Sequence, residues 1–458
     1  MLSIVIFDRF LMGFALAVHI IIASIGIALP VIILVAEFIG IRYHDPYYKV
    51  LAKRLAVVFV ILFAVGTASG TVVALNLLFL WPQFMVVVGQ VAILPLYAEV
   101  FAFFLESIFV GIYFYSWDRF SNGYLHLLTG IPVAVGASLS AVFITLINSF
   151  MNTPVGFNIS KYLSTGAVTG VNPYAVFSSP ASFLEVPHVL STSFFAASFI
   201  FVAFFSYRLL RAQTPREKRY NKGGLKISIG LSAVSVLFAV ITGILSIENL
   251  AAIQPEKYAA IEGDLVPMSH APELIGGIPV GAHSLGYYLS IPNLQSILLT
   301  GSPSGVVPGL SSYPVSTWPP LIIHFMFDFM FAVGVLLGIY LAATLAIELL
   351  RKAKVRRSVL GISIEKGSSE SRTLLKLNVL AAALAVILLE VGWMVDELGR
   401  QPWIIYNVMT VSQAANASPS VLPITILIVL FYALIIPFTI LVLRRVFSTR
   451  PLDKEVHE

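Results

Sequence analysis

An all-α, polytopic membrane bundle of about nine transmembrane helices is the fold class this sequence predicts, and three observations predict it. Of 458 residues, 58% are hydrophobic against 11% charged, and mean hydropathy is +0.92. Apolar runs long enough to cross a bilayer recur along the chain, each close to the roughly 20 residues a spanning helix needs. Lys and Arg then gather in every second connection between those runs.

The runs place helices at about 10–38, 53–81, 93–116, 125–150, 184–212, 225–247, 320–350, 374–397 and 421–447. The first is too long for a signal-peptide core and has no small-residue cleavage site, so it is expected to be retained; it carries His19. The third holds Glu99 and Glu106, and the fourth Ser140 and Asn148. His188 lies about a turn into the fifth, and the sixth closes the first half of the chain. The seventh begins with His324 and Asp328, the eighth ends with Glu390 and Met394, and the ninth is apolar up to Arg444. These spans divide the chain into 1–247, a loop over 248–319, and 320–458 with a cytoplasmic tail.

Charge gives the orientation. The connections 39–54, 117–124, 208–226 and 351–376, with the tail from Arg444, hold 24 of the 28 Lys and Arg. Only Arg9, Lys161, Lys257 and Arg400 fall on the other side. That bias puts the N-terminus outside and the C-terminus in the cytoplasm, a multi-pass protein of the cell (cytoplasmic) membrane. The net charge of +5 is then an anchor to anionic lipid, with no nucleic-acid patch in it. With no cysteine, disulfides, thiolate haem and Cys-ligated clusters are excluded, so a metal would need His, Met or carboxylate.

Ionisable groups inside spans are costly and mark function. His19, Glu99, His188 and Met394 all fall in the outer half of the membrane on the predicted topology. Glu106 follows Glu99 by seven residues on the same helical face, roughly 10 Å deeper. Two His and one Met are also the vocabulary of haem iron. Each has a plainer reading: a histidine near a helix end is ordinarily an interfacial hydrogen-bonding group, and a Met in an apolar helix is ordinarily packing. Their shared depth argues for function. His324 reads as interfacial, Asp328 and Glu390 as candidates for proton or haem-pocket roles, and His44, His126 and His457 as solvated.

The loop over 248–319 is long enough to be functional. Its first part, Gln254 to Glu262, has the pattern of a short amphipathic helix. Lys257 and Glu262, five residues apart, flank a site more naturally than they pair. The stretch from Gly276 to Pro308 is rich in Gly, Ser and Pro and reads as a flexible lid.

Several segments together resemble subunit I of the cytochrome bd quinol oxidases, across nearly the whole length. They are His19, Ala102-Phe103-Phe104-Leu105-Glu106-Ser107, Trp117-Asp118-Arg119, Asn148 through Gly156, the 254–262 segment and Gly399-Arg400-Gln401-Pro402-Trp403. The resemblance implies a quinol:oxygen oxidoreductase. His188 and Met394 would be the axial ligands of a low-spin haem b, and His19 would hold a haem of the oxygen-reducing pair, haem d and/or a high-spin haem b. Glu99 would stand beside that pair as ligand or proton donor, with Glu106 on the proton route. Arg400 would neutralise haem propionates, while Lys257 and Glu262 would bind the quinol head group and take its proton. A glutamate expected in the last helix is missing: there is no Asp or Glu between Glu397 and Asp453, and Thr439 stands at about its place.

Such an oxidase would oxidise quinol on the outer face and draw the protons of water formation from the cytoplasm, generating a proton-motive force without a pump. A second membrane subunit, and possible small accessory subunits, would complete it beside quinol, oxygen and the lipid bilayer. Two other classes compete. A proton-coupled transporter would show inverted repeats, which the sequence lacks. A non-catalytic haem b anchor leaves His19, Glu99 and Glu106 without a purpose.

Overall fold

The computed structural model describes residues 2–281, 283–352, 358–359, 362–363, 371–416, 418, 421–449, 452 and 455. Its helices are α1 (Leu2–Arg42), α2 (Pro46–Leu80), α3 (Pro82–Val91), α4 (Ile93–Tyr115), α5 (Gly123–Asn152), α6 (Ile159–Thr165), α7 (Ser182–Arg211), α8 (Pro215–Ile253), α9 (Pro255–Glu262), α10 (Leu294–Thr300), α11 (Ile322–Lys352), α12 (Arg372–Gly399), α13 (Val411–Ala414) and α14 (Val421–Thr449). Among the described residues nine helices are long and apolar enough to cross a membrane: α1, α2, α4, α5, α7, α8, α11, α12 and α14. These match the nine apolar runs one for one. α8 is much longer than its run because Thr214 and Glu217 form a capping box a full ten residues before it. The short α3, which falls in the connection between the second and third runs, starts at Pro82, where a missing N–H ends one helix and suits the first turn of the next.

Small residues set the helix contacts. An added Cβ on Gly136 would lie 2.9 Å from the Glu106 backbone and Cβ, so α4 and α5 meet where only glycine fits. On Gly224 it would overlap the Phe205 ring, which fixes α7 against α8. α12 is tied to both neighbours through Asn378, which donates to Ser206 on α7 at 2.9 Å and accepts from Tyr340 on α11 at 2.6 Å. α7, α8, α12 and α11 thus form a ring of four; α7 packs closely on α8 and α12, while α8 and α11 touch sparsely. One apolar core, with Phe199, Phe205, Leu51 and Leu55, lies towards the face bearing the basic connections. A second, with Phe84, Phe150 and Tyr432, lies towards the opposite face, called here the loop face.

Two expectations are corrected. The Gly/Pro-rich lid contains an ordered hairpin, β2 (Glu273–Gly281) against β3 (Ser284–Ile291), antiparallel with Glu273 opposite Ile291, followed by α10; two further two-residue strands, β1 (Met268–Ser269) and β4 (Val306–Val307), pair beside it. Alternation of large residues outweighs the glycines, and Gly276 and Gly277 supply the positive φ angles of the strand. His126 is buried at 3% exposure. Its Nδ1 meets Glu37 Oε1 at 2.6 Å, its Nε2 meets the Tyr113 carbonyl at 2.9 Å, and the Tyr113 hydroxyl donates to Glu37 Oε2 at 2.6 Å. Helix-end position suggested solvent, but three helix ends and the Trp117 ring close over it. His44 is exposed as read, and His457 lies outside the described residues.

Candidate functional site

Two imidazoles share one local design. His19 on α1 places Nδ1 2.9 Å from Ser69 Oγ on α2, and Ser69 spends its hydroxyl proton on the Gly66 carbonyl at 2.9 Å. His188 on α7 places Nδ1 3.0 Å from Thr242 Oγ1 on α8, and that hydroxyl donates to the Phe238 carbonyl at 2.7 Å. A hydroxyl whose proton is used elsewhere can only accept, so each Nδ1 carries the ring proton and each Nε2 is left with a free lone pair. The following residue is glycine both times. A Cβ on Gly70 would sit 3.1 Å from His19 Cε1, and one on Gly243 3.3 Å from His188 Cε1, so each ring lies on bare backbone. A fixed tautomer with Nε2 bare is the state in which histidine binds iron.

Met394, expected opposite His188, faces elsewhere. Two residues along a helix are about 200° apart. Gly392 faces Met330 of α11, whose sulfur would be 3.4 Å from a Cβ there, and Asp396 faces Lys257. Met394 therefore points away from both and is 49% exposed, in line with exposed Leu380 and Ile387. The thioether inside the ring of four helices is Met330. Gly338 lies against Val236 of α8, and counting outward from that contact brings Met330 on α11 and Thr242 on α8 to nearly one level. Sequence reasoning missed Met330 because it looks like any Met in an apolar helix; its only signal was Asp328 two residues before it.

Glu99 and Glu106 both turn to α5: Ser140 donates to Glu99 Oε1 at 2.9 Å, and Gly136 abuts Glu106, which is 7% exposed. The expectation that they share one face of their helix agrees with this packing. Thr439 donates to its own helix at Ile435 O, 2.6 Å away, and offers no carboxylate. α12 does offer two. Glu390 has a buried, unpaired Oε1, and Glu397 accepts from Asn148 at 3.0 Å and from Arg400 at 2.6 Å.

Arg400, 2% exposed, sits in a polar knot at the loop-face ends of α5, α7 and α12. It donates to Asn152 Oδ1 at 2.9 Å and lies 3.9 Å from Asp396 Oδ2. Asn152 also donates to Glu185 at 2.8 Å, and its carbonyl accepts from Gln254 at 2.7 Å. Glu185 and Asp396 were not singled out from sequence, and Asn152 and Gln254 were noted only as members of longer segments, since each is ordinary alone. Arg400 Nε and Trp403 Nε1 are buried donors without partners. An unmet buried donor is expensive, and two in one run suit an anionic acceptor such as a propionate.

Lys257 and Glu262 diverge from α9. Lys257, 5% exposed, reaches Asp396 Oδ1 at 2.6 Å and its carbonyl at 3.1 Å, using two of three N–H donors. Glu262 faces Asp264, Glu273 and Asp328; burial first, then the charges of Glu273, Asp264 and Asp328, hold its carboxyl well above the ordinary range. Burial and Glu273 push Asp264 up to about 7, and burial and Asp328 push Glu273 up to about 7. The pair thus brackets a region between a cation tied to α12 and a group of carboxylates under the hairpin.

No three His, Cys, Asp or Glu converge as a metal site among the described residues. Single imidazoles with bare Nε2 fit porphyrin iron, where the macrocycle supplies the other nitrogens. Fold and site together define a polytopic α-helical membrane protein of the haem-binding class. A profile of the cytochrome bd terminal oxidase subunit I family matches residues 7–451, and the chain belongs to that family. A protein of Bacillus subtilis (strain 168) named as a cytochrome bd menaquinol oxidase subunit I is 33% identical over 454 residues, covering 98% of each chain. The cytochrome bd ubiquinol oxidase subunit 1 of the same organism is 26% identical, covering 88% of this chain and 84% of that one. The solved bd oxidase of Geobacillus thermodenitrificans superposes with a TM-score of 0.85 at 37% identity, over 98% of this chain and 99% of that chain.

Proposed function

We propose that this chain is the haem-bearing, quinol-oxidising subunit of a terminal oxidase that reduces oxygen to water. The observation that carries the reading is the paired design around His19 and His188, two locked imidazoles with bare Nε2 atoms in apolar helices. His188 and Met330 would hold a low-spin haem b, Met330 in place of Met394 because its sulfur lies against Gly392 where α11 meets α12. His19 would hold the haem of the oxygen site, of d or high-spin b type. Glu99 would stand beside it, and Glu397 would supply the carboxylate that the last helix lacks. Arg400 Nε and Trp403 Nε1 would receive propionates. When bound, the haems supply one-electron carriage from quinol to oxygen.

The protein's own groups do the rest. Lys257 keeps its third N–H for a quinol oxygen, and Glu262, whose carboxyl burial and then its acidic neighbours hold well above the ordinary range, takes the hydroxyl proton. Glu106, with Ser107, Ser140 and Asn148, lines a route for protons from the basic face, which is the cytoplasmic one by its charge. A second membrane subunit, with small accessory subunits, covers the exposed helix faces in the cell membrane, and the quinol is of the menaquinol or ubiquinol class named among the relatives.

The purified complex is expected to consume oxygen with quinol and to show both low-spin and high-spin bands in a reduced-minus-oxidised spectrum. Haem bands without quinol-dependent oxygen uptake would refute the oxidase reading. Met330→Leu is expected to remove the low-spin band and Met394→Leu to keep it; the reverse result returns the ligand to Met394.

A further inference from the structure

Beneath the β2–β3 hairpin lies a group of carboxylates that head-group binding alone does not use. Glu262 ends α9, Asp264 follows it, and Glu273 opens β2; the first two are 7% and 3% exposed. Glu273 has a buried Oε2 without a hydrogen-bond partner, while the far end of its strand, from Ile278 on, runs out to solvent. Gln295 of α10 donates to Asp264 at 3.3 Å and to the Tyr258 hydroxyl at 2.9 Å. From below, α11 presents Asp328, which accepts from Gly276 N at 2.6 Å, and His324. α12 presents the apolar Val391, Val395 and Leu398.

His324 is fully buried. Its Nδ1 lies 2.8 Å from the Ile261 carbonyl, so Nδ1 is the donor, and its Nε2 has no hydrogen-bond partner, with Asp328 Oδ2 3.6 Å away. The ring thus holds the carbonyl next to Glu262 and turns an unmet nitrogen towards the acidic group. Among the described residues the basic group facing these carboxylates is this imidazole, and like charges this close oppose full ionisation of all of them.

We propose that Glu273 and Asp264 form a proton relay that accepts, from Glu262, the protons released by quinol and passes them to water on the loop face, with His324 as the positioning residue for Glu262. This rests on the quinol oxidation argued above. Conversion of one hydroquinone to quinone breaks two O–H bonds and releases two electrons, which leave by the oxidase's own acceptor chain to oxygen. Each proton goes to the Glu262 carboxylate, then to Glu273 or Asp264, then to solvent, and Glu262 is ionised again before the next. Relay groups that titrate close to neutrality, as these two do, pass a proton in either direction with little penalty.

The test uses the whole oxidase complex carrying Glu273→Gln, Asp264→Asn or Glu273→Asp. Quinol:oxygen turnover is followed across neutral pH, beside oxygen uptake driven by an artificial donor that reduces the haems directly. Each amide variant is expected to lower kcat about a hundredfold, the low end for lost acid–base assistance, with KM for quinol unchanged. The rise of kcat through neutral pH should flatten, and donor-driven uptake should stay at the wild-type rate. Glu273→Asp, which keeps the charge but lengthens the hop, is expected to lower kcat less and to enlarge the solvent isotope effect; it serves if the amide variants do not assemble. Unaltered kcat and pH profile in variants of a wild type that does oxidise quinol would overturn the relay alone. A wild type with haem but no quinol turnover would overturn the parent reading with it.

Discussion

Ser69 and Thr242 do the same work on different helices. Each accepts from an imidazole and each is followed by a glycine that lets the ring lie against the helix. A partner of this kind orients the ring and raises its basicity, and its loss typically costs 10–100-fold in metal affinity. Ser69→Ala and Thr242→Val are therefore expected to weaken haem retention at one site each. Haem content and the reduced-minus-oxidised spectrum after detergent washing measure it: Thr242→Val should deplete the low-spin bands and Ser69→Ala the high-spin ones. Neither hydroxyl stands out in the sequence, because Ser and Thr are common in spans; their meaning lies wholly in what they face.

At the scale of elements, the Glu37–His126–Tyr113 contact clamps α1, α4 and α5 together near the basic face. Breaking a buried pair strands the survivor and costs about 3–5 kcal/mol. His126→Phe is expected to lower the thermal midpoint of the purified protein markedly, and the double variant Glu37→Gln, His126→Phe to recover part of the loss. A double variant no better than the single one would mean that the pair holds nothing together.

The loop behaves as an element too. Asp264 titrates at about 7 in the fold against an ordinary 3.8, so folding favours its protonated form. The resulting stabilisation is complete below the ordinary value and is lost as pH rises through about 7; at 1.36 kcal/mol per pH unit it amounts to roughly 4 kcal/mol for Asp264. Glu273 adds to it in the same direction. Amide exchange in α9 and the hairpin, corrected for intrinsic rates, is expected to accelerate as pH rises from about 5 to 8. Asp264→Asn should abolish most of that dependence.

Across the whole molecule, the proposed function turns on sidedness. If the face carrying the 24 basic residues is cytoplasmic, as proposed, quinol protons would leave at the loop face and charge would be separated across the bilayer. Each charge moved against 100 mV stores about 2.3 kcal/mol. Inverted membrane vesicles fed quinol and oxygen are expected to acidify inside, and addition of an uncoupler to collapse the signal. Alkalinisation inside would place the quinol site on the other side.

Much of this was legible beforehand. A bilayer forces long apolar runs and sorts basic residues between its faces, and both constraints act on local composition; hence the nine spans, the α9 segment and the carboxylates of α4 were found in the sequence. Met394 and His126 were misread for one reason: which way a side chain points within a span depends on how its helix is rotated against its neighbours. Sequence alone determined that this chain carries nine runs long and apolar enough to cross a membrane, with imidazoles and carboxylates among them. Only the tertiary structure decided that Met330 and not Met394 faces into the four-helix ring, that Lys257 is tied to Asp396, and that Glu262 lies among other acids. Those facts arise from contacts between residues far apart in the chain, and no periodicity records them.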